Sequence, residues 1–367
     1  MIKTITYRLI FIGLFVISVQ SFAQITTPRP SPQATLQQRI ANTDISIKYS
    51  RPSVNRGNTD RTGQVWGGLV PWGLANNAFG NMQPMPWRAG ANENTVITFS
   101  TPVLVEGKSI DAGSYGVHMI PEESGKVVVI FSSNTSSWGS FWYDQSEDVL
   151  RVEVEIVDAP FTNVLTYDFI EFGRNKGTLA LSWDNKQIPI ELAVTDEVIL
   201  AGIRDELRGV QGFGWQGPFS AANYCLSNNL NHDEAIKWAD MAIAANKNGQ
   251  TLGLKAALLF QKGDNEQAVE VANEAKSIAT MNELNSLGYQ LMGAKQFDKA
   301  EEFFKLNIKK NPKVANCYDS MGECYVAMGE NAKAIKMFKK SLSLNPNQFV
   351  KANSVANLKR LGVEDVE

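Results

Sequence analysis

Histidine and cysteine are scarce in this chain, with 2 His and 3 Cys in 367 residues. The cysteines, Cys225, Cys317 and Cys324, all fall in the C-terminal half. An odd number scattered among helical segments fits buried free thiols better than a disulfide framework. With no histidine beside them they do not make a zinc cage. Charge of one sign is lacking too. The formal net charge is −3, 20% of residues are charged, and no polybasic or polyacidic run occurs, which argues against a general nucleic-acid binder. The familiar enzyme signatures are missing: there is no G-x-S-x-G elbow, Walker loop, dinucleotide glycine motif after a strand, or HExxH. No cofactor and no metal are expected from these absences, and a non-enzymatic role is favoured.

Long apolar runs are missing except at the start, "MIKTITYRLIFIGLFVISVQSFAQ". Lys3 and Arg8 give a positive region, residues 9–19 are apolar but short for a bilayer, and Ser21 and Ala23 are small residues at −3 and −1 of a cleavage site. Residues 1–23 are therefore expected to be a signal peptide, giving a periplasmic or secreted protein with no membrane span after cleavage. Gln24, not cysteine, follows the cut.

From about Asn42 to Val194 the apolar period is two. In "DVLRVEVEIVD", Leu150, Val152, Val154 and Ile156 alternate with charged residues, as in a strand with one wet face. Similar stretches at 44–49, 95–100, 103–106, 115–120, 127–132, 165–172, 178–183 and 188–194 are separated by turn signals such as Glu106-Gly107, Asn175-Lys176-Gly177 and Asp184-Asn185. Many short strands with tight turns predict an antiparallel β-sandwich or barrel over residues 24–194.

After Val194 the period becomes helical. A linker helix is expected in 195–215, with Thr195 as its cap. Beyond it five pairs recur 34 residues apart: Gly288/Gly322, Leu291/Tyr325, Ala300/Ala334, Phe304/Phe338 and Pro312/Pro346. This spacing resembles the tetratricopeptide repeat. Four repeats are expected at 216–248, 249–280, 281–314 and 315–348, followed by a capping helix at 349–361. Such arrays form a solenoid whose concave face holds a protein or peptide, or packs on a neighbouring domain.

The β-half carries "YSRPSV", "GGLVPWG", "PWRAGANENT", "VEGKSIDAGSYGVHMIP", "SSWGSFWYD" and "EDVLRVEVE" in this order. Together these resemble the exported bacterial proteins grouped as domain of unknown function 2911, over about residues 31–194. "SAANYCLSNNLNHDEAIKWA" at 220–239 is similar to a helical extension of some members. The resemblance implies the α+β architecture of the whole chain, a β-domain followed by an all-α repeat solenoid. It implies no activity.

Six residues stand out as candidate ligand contacts: Arg51, Arg88, Asn92, Glu93, His118 and Trp138. If the strand at 95–100 extended backwards, Glu93 would share a face with Thr95, Ile97 and Phe99 and would need a partner. Arg88, the nearest cation in sequence, makes either a structural clamp with it, Asn92 tying the turn, or a site in which Glu93 is a general acid or base. His118 sits on a strand and reads as a hydrogen-bonded packing residue or an assistant to Glu93. Trp138, with Phe141, Trp142 and Tyr143, forms either a sugar-stacking platform or a plug for the sandwich end. Tyr49, Arg51 and Pro52 make a further polar–aromatic group. Three functions are open. The first is a binding and assembly protein, with the β-domain recognising a small-molecule or carbohydrate envelope ligand and the repeats contacting a protein. The second is a periplasmic hydrolase using Glu93 with His118 or Arg88. The third is a purely structural protein.

Overall fold

The computed structural model describes residues 27–364; the leader expected in residues 1–23 lies outside them. The chain divides into two compact units, with the boundary between Asp196 and Glu197.

The first unit is built from two antiparallel sheets. Six strands, β1 (Gln33–Ile40), β2 (Thr43–Ser50), β3 (Thr95–Phe99), β6 (Gly113–Pro121), β7 (Lys126–Ser132) and β8 (Asp148–Glu155), lie in the order β1-β2-β3-β6-β7-β8. The other sheet runs β5-β4-β10-β9, from β4 (Val103–Val105), β5 (Lys108–Ile110), β9 (Val157–Phe172) and β10 (Lys176–Ala193). Neither closes into a barrel. Ile45, Ile47, Ile97, Phe99, Met119, Val129, Phe131 and Val152 are the inward residues of the first sheet, and Leu165, Tyr167, Leu179, Leu181 and Ile190 those of the second. The sheets meet where Tyr49 packs edge-on against Tyr167, ring centroids 4.7 Å apart. The Tyr49 hydroxyl accepts from Tyr167 N at 3.1 Å, and the Tyr167 hydroxyl donates to Ala89 O at 3.0 Å. This is a sandwich-like arrangement.

The structure differs from the reading of the alternation at several places, among them the short β5 and the first half of β9, which were not expected. Strand β1 was not expected; it pairs only with β2, so one edge stays open and few apolar positions are needed. The Asp184-Asn185 signal is not a hairpin turn. Strand β10 continues through it as a bulge, with Asp184 at φ +54° and shifts of register on both sides.

The second unit is helical. After α1 (Asp196–Leu207), helix pairs follow: α2 (Gln216–Asn228) with α3 (His232–Ala245), α4 (Gly249–Lys262) with α5 (Asn265–Ile278), α6 (Met281–Gly293) with α7 (Phe297–Lys310), and α8 (Ala315–Ala327) with α9 (Asn331–Leu342). Helix α10 (Gln348–Arg360) ends the array. The glycines set the packing. A Cβ on Gly288 would lie 2.5 Å from the Phe304 ring, and one on Gly322 would lie 2.6 Å from the Phe338 ring. Each phenyl therefore rests directly on the backbone of its partner helix. Leu284, Leu287, Leu291, Phe303 and Met321 fill the space around them. All three cysteines are buried and none is in a disulfide. No described helix is long and apolar enough to cross a membrane.

Candidate functional site

The register of β3 decides where Glu93 goes. Thr95 pairs with Val117, so an extended β3 would set Glu93 opposite Met119. That place is taken by Trp87, which exchanges two backbone hydrogen bonds of 2.8 Å with Met119. The chain between must loop back, and Asn92 does so at φ +60°. Glu93 consequently leaves the alternation and faces the N-terminal segment. Arg29 Nη1 donates to its Oε1 at 2.5 Å, and Ser50 Oγ to its Oε2 at 3.5 Å. Burial works against its charge, but its own backbone N–H, Arg29 and Ser50 hold the carboxyl below the usual range. The expected Arg88–Glu93 ion pair is not formed. The sequence neighbour was the wrong partner because the turn separates the two side chains.

Arg88 points elsewhere. Its Nη1 donates to Asn92 O at 2.6 Å, and its Cζ lies 4.7 Å from the centroid of the Phe141 ring. Among the described residues no carboxylate is within ion-pair distance of it. Burial pushes its pKa down. Gly139, at φ +62°, lies against the guanidinium; a Cβ there would be 2.1 Å from Arg88 Cζ. Arg88 is thus threaded beneath the loop "SSWGSFWYD".

His118 is the second group under that loop. It is 2% exposed, because the loop covers the outer face of β6 and places Ser140 Oγ 2.8 Å from His118 Nδ1. Burial, then the charge of Arg88, lowers its pKa to about 4, so it is neutral at pH 7. Beside it Tyr143, ring centroid 5.5 Å away, donates to Asp148 Oδ2 at 2.7 Å and accepts from Arg151 Nη2 at 2.6 Å.

The loop has an inner and an outer side. Ser140 and Tyr143 turn inward to these contacts, while Trp138 and Trp142 stand 51% and 45% exposed. A second loop is zipped to it: Asn77 Nδ2 and Asn81 N donate to Phe141 O at 2.9 and 3.0 Å, and Asn81 Nδ2 to Tyr143 O at 2.8 Å. This brings Phe79, itself 60% exposed, edge-on to Phe141 and Trp142.

The structure thus brings Arg88, His118 and the loop of Trp138 together. Asn92 joins them through its carbonyl only, its side chain donating to Ser31 O at 3.3 Å. Glu93 belongs with Arg29. Arg51 is used structurally, its Nε and Nη2 donating to Leu165 O and Thr166 Oγ1 at 3.0 and 2.7 Å and tying β2 to β9. Sequence reasoning did not single out Gly139, Ser140 or Asn81. Only the Gly inside an aromatic run hinted at a close approach.

The helical unit has grooves of its own. The first helix of each pair contributes to one face. One groove is lined by Asn223 and Ser227 of α2, Gln261 of α4, and Tyr289 and Gln290 of α6. Another, of about 500 Å³, is lined by Met292 of α6, Glu323 and Val326 of α8, and Asn353, Asn357 and Arg360 of α10. Tyr289 OH, which donates to Glu323 Oε2 at 2.5 Å, joins the two. The lining is in register: Tyr289, Glu323 and Asn357 are successively 34 apart, and Asn353 stands 34 residues after the buried Asp319. Asn353 Nδ2 in turn donates to Asp319 Oδ2 at 2.8 Å and Glu323 Oε1 at 2.6 Å.

Residues 31–192 match the family described as "Protein of unknown function (DUF2911)", and residues 315–348 match the tetratricopeptide repeat. Both parts of the architecture expected from the motifs are therefore found, in that order. No curated protein matches the chain. Among solved structures it is similar to YrrB, a TPR protein with an unusual peptide-binding site, at 18% identity over 44% of this chain and 83% of that one, with a TM-score of 0.28. It is similar to MamA (41-end) from Desulfovibrio magneticus RS-1, at 18% over 42% and 88%, TM-score 0.27. PilF of Pseudomonas aeruginosa matches at 19% over 41% and 71%, TM-score 0.29.

Proposed function

We propose that the protein is an exported binding and assembly protein whose repeats hold a protein or peptide and whose β-domain recognises an envelope ligand. The observation that carries the reading is the register of polar side chains along the first helices of the repeats. Hydroxyl, carboxylate and carboxamide groups at 34-residue intervals face one groove system, where they can meet the N–H and C=O groups of an extended chain. The leader read in residues 1–23 supports export. The envelope ligand is supported by the half-buried Arg88 guanidinium, which makes one hydrogen bond, and by the exposed aromatics beside it. A hydrolase built on Glu93 has less support, since Arg29 and Ser50 occupy its carboxylate and His118 is turned to Ser140.

The test is panning of a random peptide library on the full chain, followed by fluorescence anisotropy with the peptides recovered. Asn357→Ala with Arg360→Ala should weaken binding at least tenfold, and Lys336→Ala on α9 should not. Peptides that bind the two variants alike would remove the groove from the function.

A further inference from the structure

We infer that Arg88 is the anchor for a carboxylate on an acidic sugar chain, and that Trp138, Trp142 and Phe79 are the surface on which its rings lie. The inference rests on the reading that the β-domain binds an envelope ligand and names the chemistry of that ligand.

A guanidinium carries five N–H donors in a planar fork. Arg88 gives one of them to Asn92 O, and no other hydrogen bond from it is formed among the described residues. Other partly covered arginines of this unit are matched: Arg151 has Asp148 and Tyr143, and Arg51 has Leu165 O and Thr166 Oγ1. Glu93, the carboxylate nearest in sequence, is held by Arg29. A half-buried cation without a counter-charge is unfavourable, yet this one is held in place by a ring on one side and a glycine on the other.

The neighbours fit an anion. No carboxylate competes for the fork among the described residues, and the neighbouring His118 is turned to the Ser140 hydroxyl. A carboxylate meeting the remaining N–H groups of the fork would make a bidentate, charge-assisted pair. The aromatic surface argues for a sugar over a bare anion. Trp138 directly precedes Gly139, which touches Arg88, and Trp142 directly follows Phe141, over which Arg88 sits. Both indoles are exposed, and the Asn77 and Asn81 hydrogen bonds hold Phe79 beside Trp142. Exposed aromatic faces next to one fixed charge suit a pyranose ring that carries a carboxylate.

The experiment uses the full chain and calorimetry with oligomers of galacturonate, glucuronate and mannuronate. The controls are the same oligomers with their carboxyls methyl-esterified, and sodium acetate and inorganic phosphate. At least one uronate oligomer should bind saturably, and its esterified form at least tenfold more weakly. Arg88→Lys should lose at least tenfold, and so should Trp138→Ala with Trp142→Ala. Gly139→Ala, which keeps the guanidinium but moves it, serves as a second variant should Arg88→Lys not fold. Esterified and acidic oligomers binding alike would overturn the carboxylate and leave the envelope ligand standing. Acetate or phosphate binding as tightly as the oligomers would overturn the sugar. No binding by any uronate oligomer overturns the inference as a whole, whereas the groove variants above test the repeats independently.

Discussion

Gly139 and Arg88 touch without a side chain between them: a methyl group on Gly139 would sit 2.1 Å from Arg88 Cζ. The loop and the arginine therefore share one space. Because the obstructing atoms are the far end of a flexible side chain, Gly139→Ala is expected to be mild for stability. The left-handed φ of +62° accounts for about 1–2 kcal/mol. Gly80→Ala is the contrast, since its Cβ would lie 2.1 Å from the Phe141 carbonyl oxygen, which is backbone. It should cost more than about 2 kcal/mol. Urea unfolding of both decides it; the reverse order would mean that Arg88 is rigidly fixed by something other than Gly139.

His118 gives a pH dependence. Its folded-state pKa of about 4 lies below its ordinary value of 6.5 because of burial and then Arg88. Between these values the unfolded chain takes up a proton that the folded one does not. The contribution is therefore complete above pH 6.5 and is lost as pH falls toward 4, by about 3 kcal/mol in all. The difference in unfolding free energy between wild type and His118→Gln should fall across that window. A constant difference would place His118 in contact with water.

Arg29 and Glu93 are coupled, but weakly. Their side chains are 49% and 32% exposed, and such a pair contributes about 0.2–1 kcal/mol. A double-mutant cycle with Arg29→Met and Glu93→Gln should return that, and the cycle of Arg88→Met with Glu93→Gln should return less. A larger coupling in the second cycle would restore the clamp that the turn at Asn92 breaks.

Gly322 and Phe338 should behave as a unit. The ring is fully buried, so Gly322→Ala cannot push it aside freely and should destabilise the chain by about 1–3 kcal/mol. Adding Phe338→Leu should recover part of that loss, although Phe338→Leu alone destabilises. Additive losses in thermal unfolding would show that the helices separate without regard to the ring.

How much of this was readable from the residues differs between the halves. The repeats were legible because Gly, Ala, Phe and Pro recur at one spacing, each for a contact that is local to a helix pair. Most strands from 95 to 172 were legible because alternation survives wherever one face is buried; the short β5 and the exposed first half of β9 show too little of it. The site was only half legible. Arg88 and His118 could be picked out as polar groups among apolar ones, but the partner of Glu93 depends on Trp87 taking the place beside Met119, a non-local pairing across the loop. The bulge at Asp184 failed for a similar reason, since a turn-forming pair and a bulge use the same left-handed conformation.

The three buried thiols of the helical half have a consequence for handling and turnover. Folded, they are inert; burial, and then nearby carboxylates, raise the Cys324 thiol to about 11, leaving little thiolate to react. The native array holds no disulfide among these three cysteines, so it needs no oxidant to form one. Once the array opens in an oxidising medium, the same sulfurs become ordinary exposed thiols able to cross-link within or between chains. Denaturation there becomes a one-way event that a reductant makes reversible, and the lifetime of the protein is then set by how seldom its helices part.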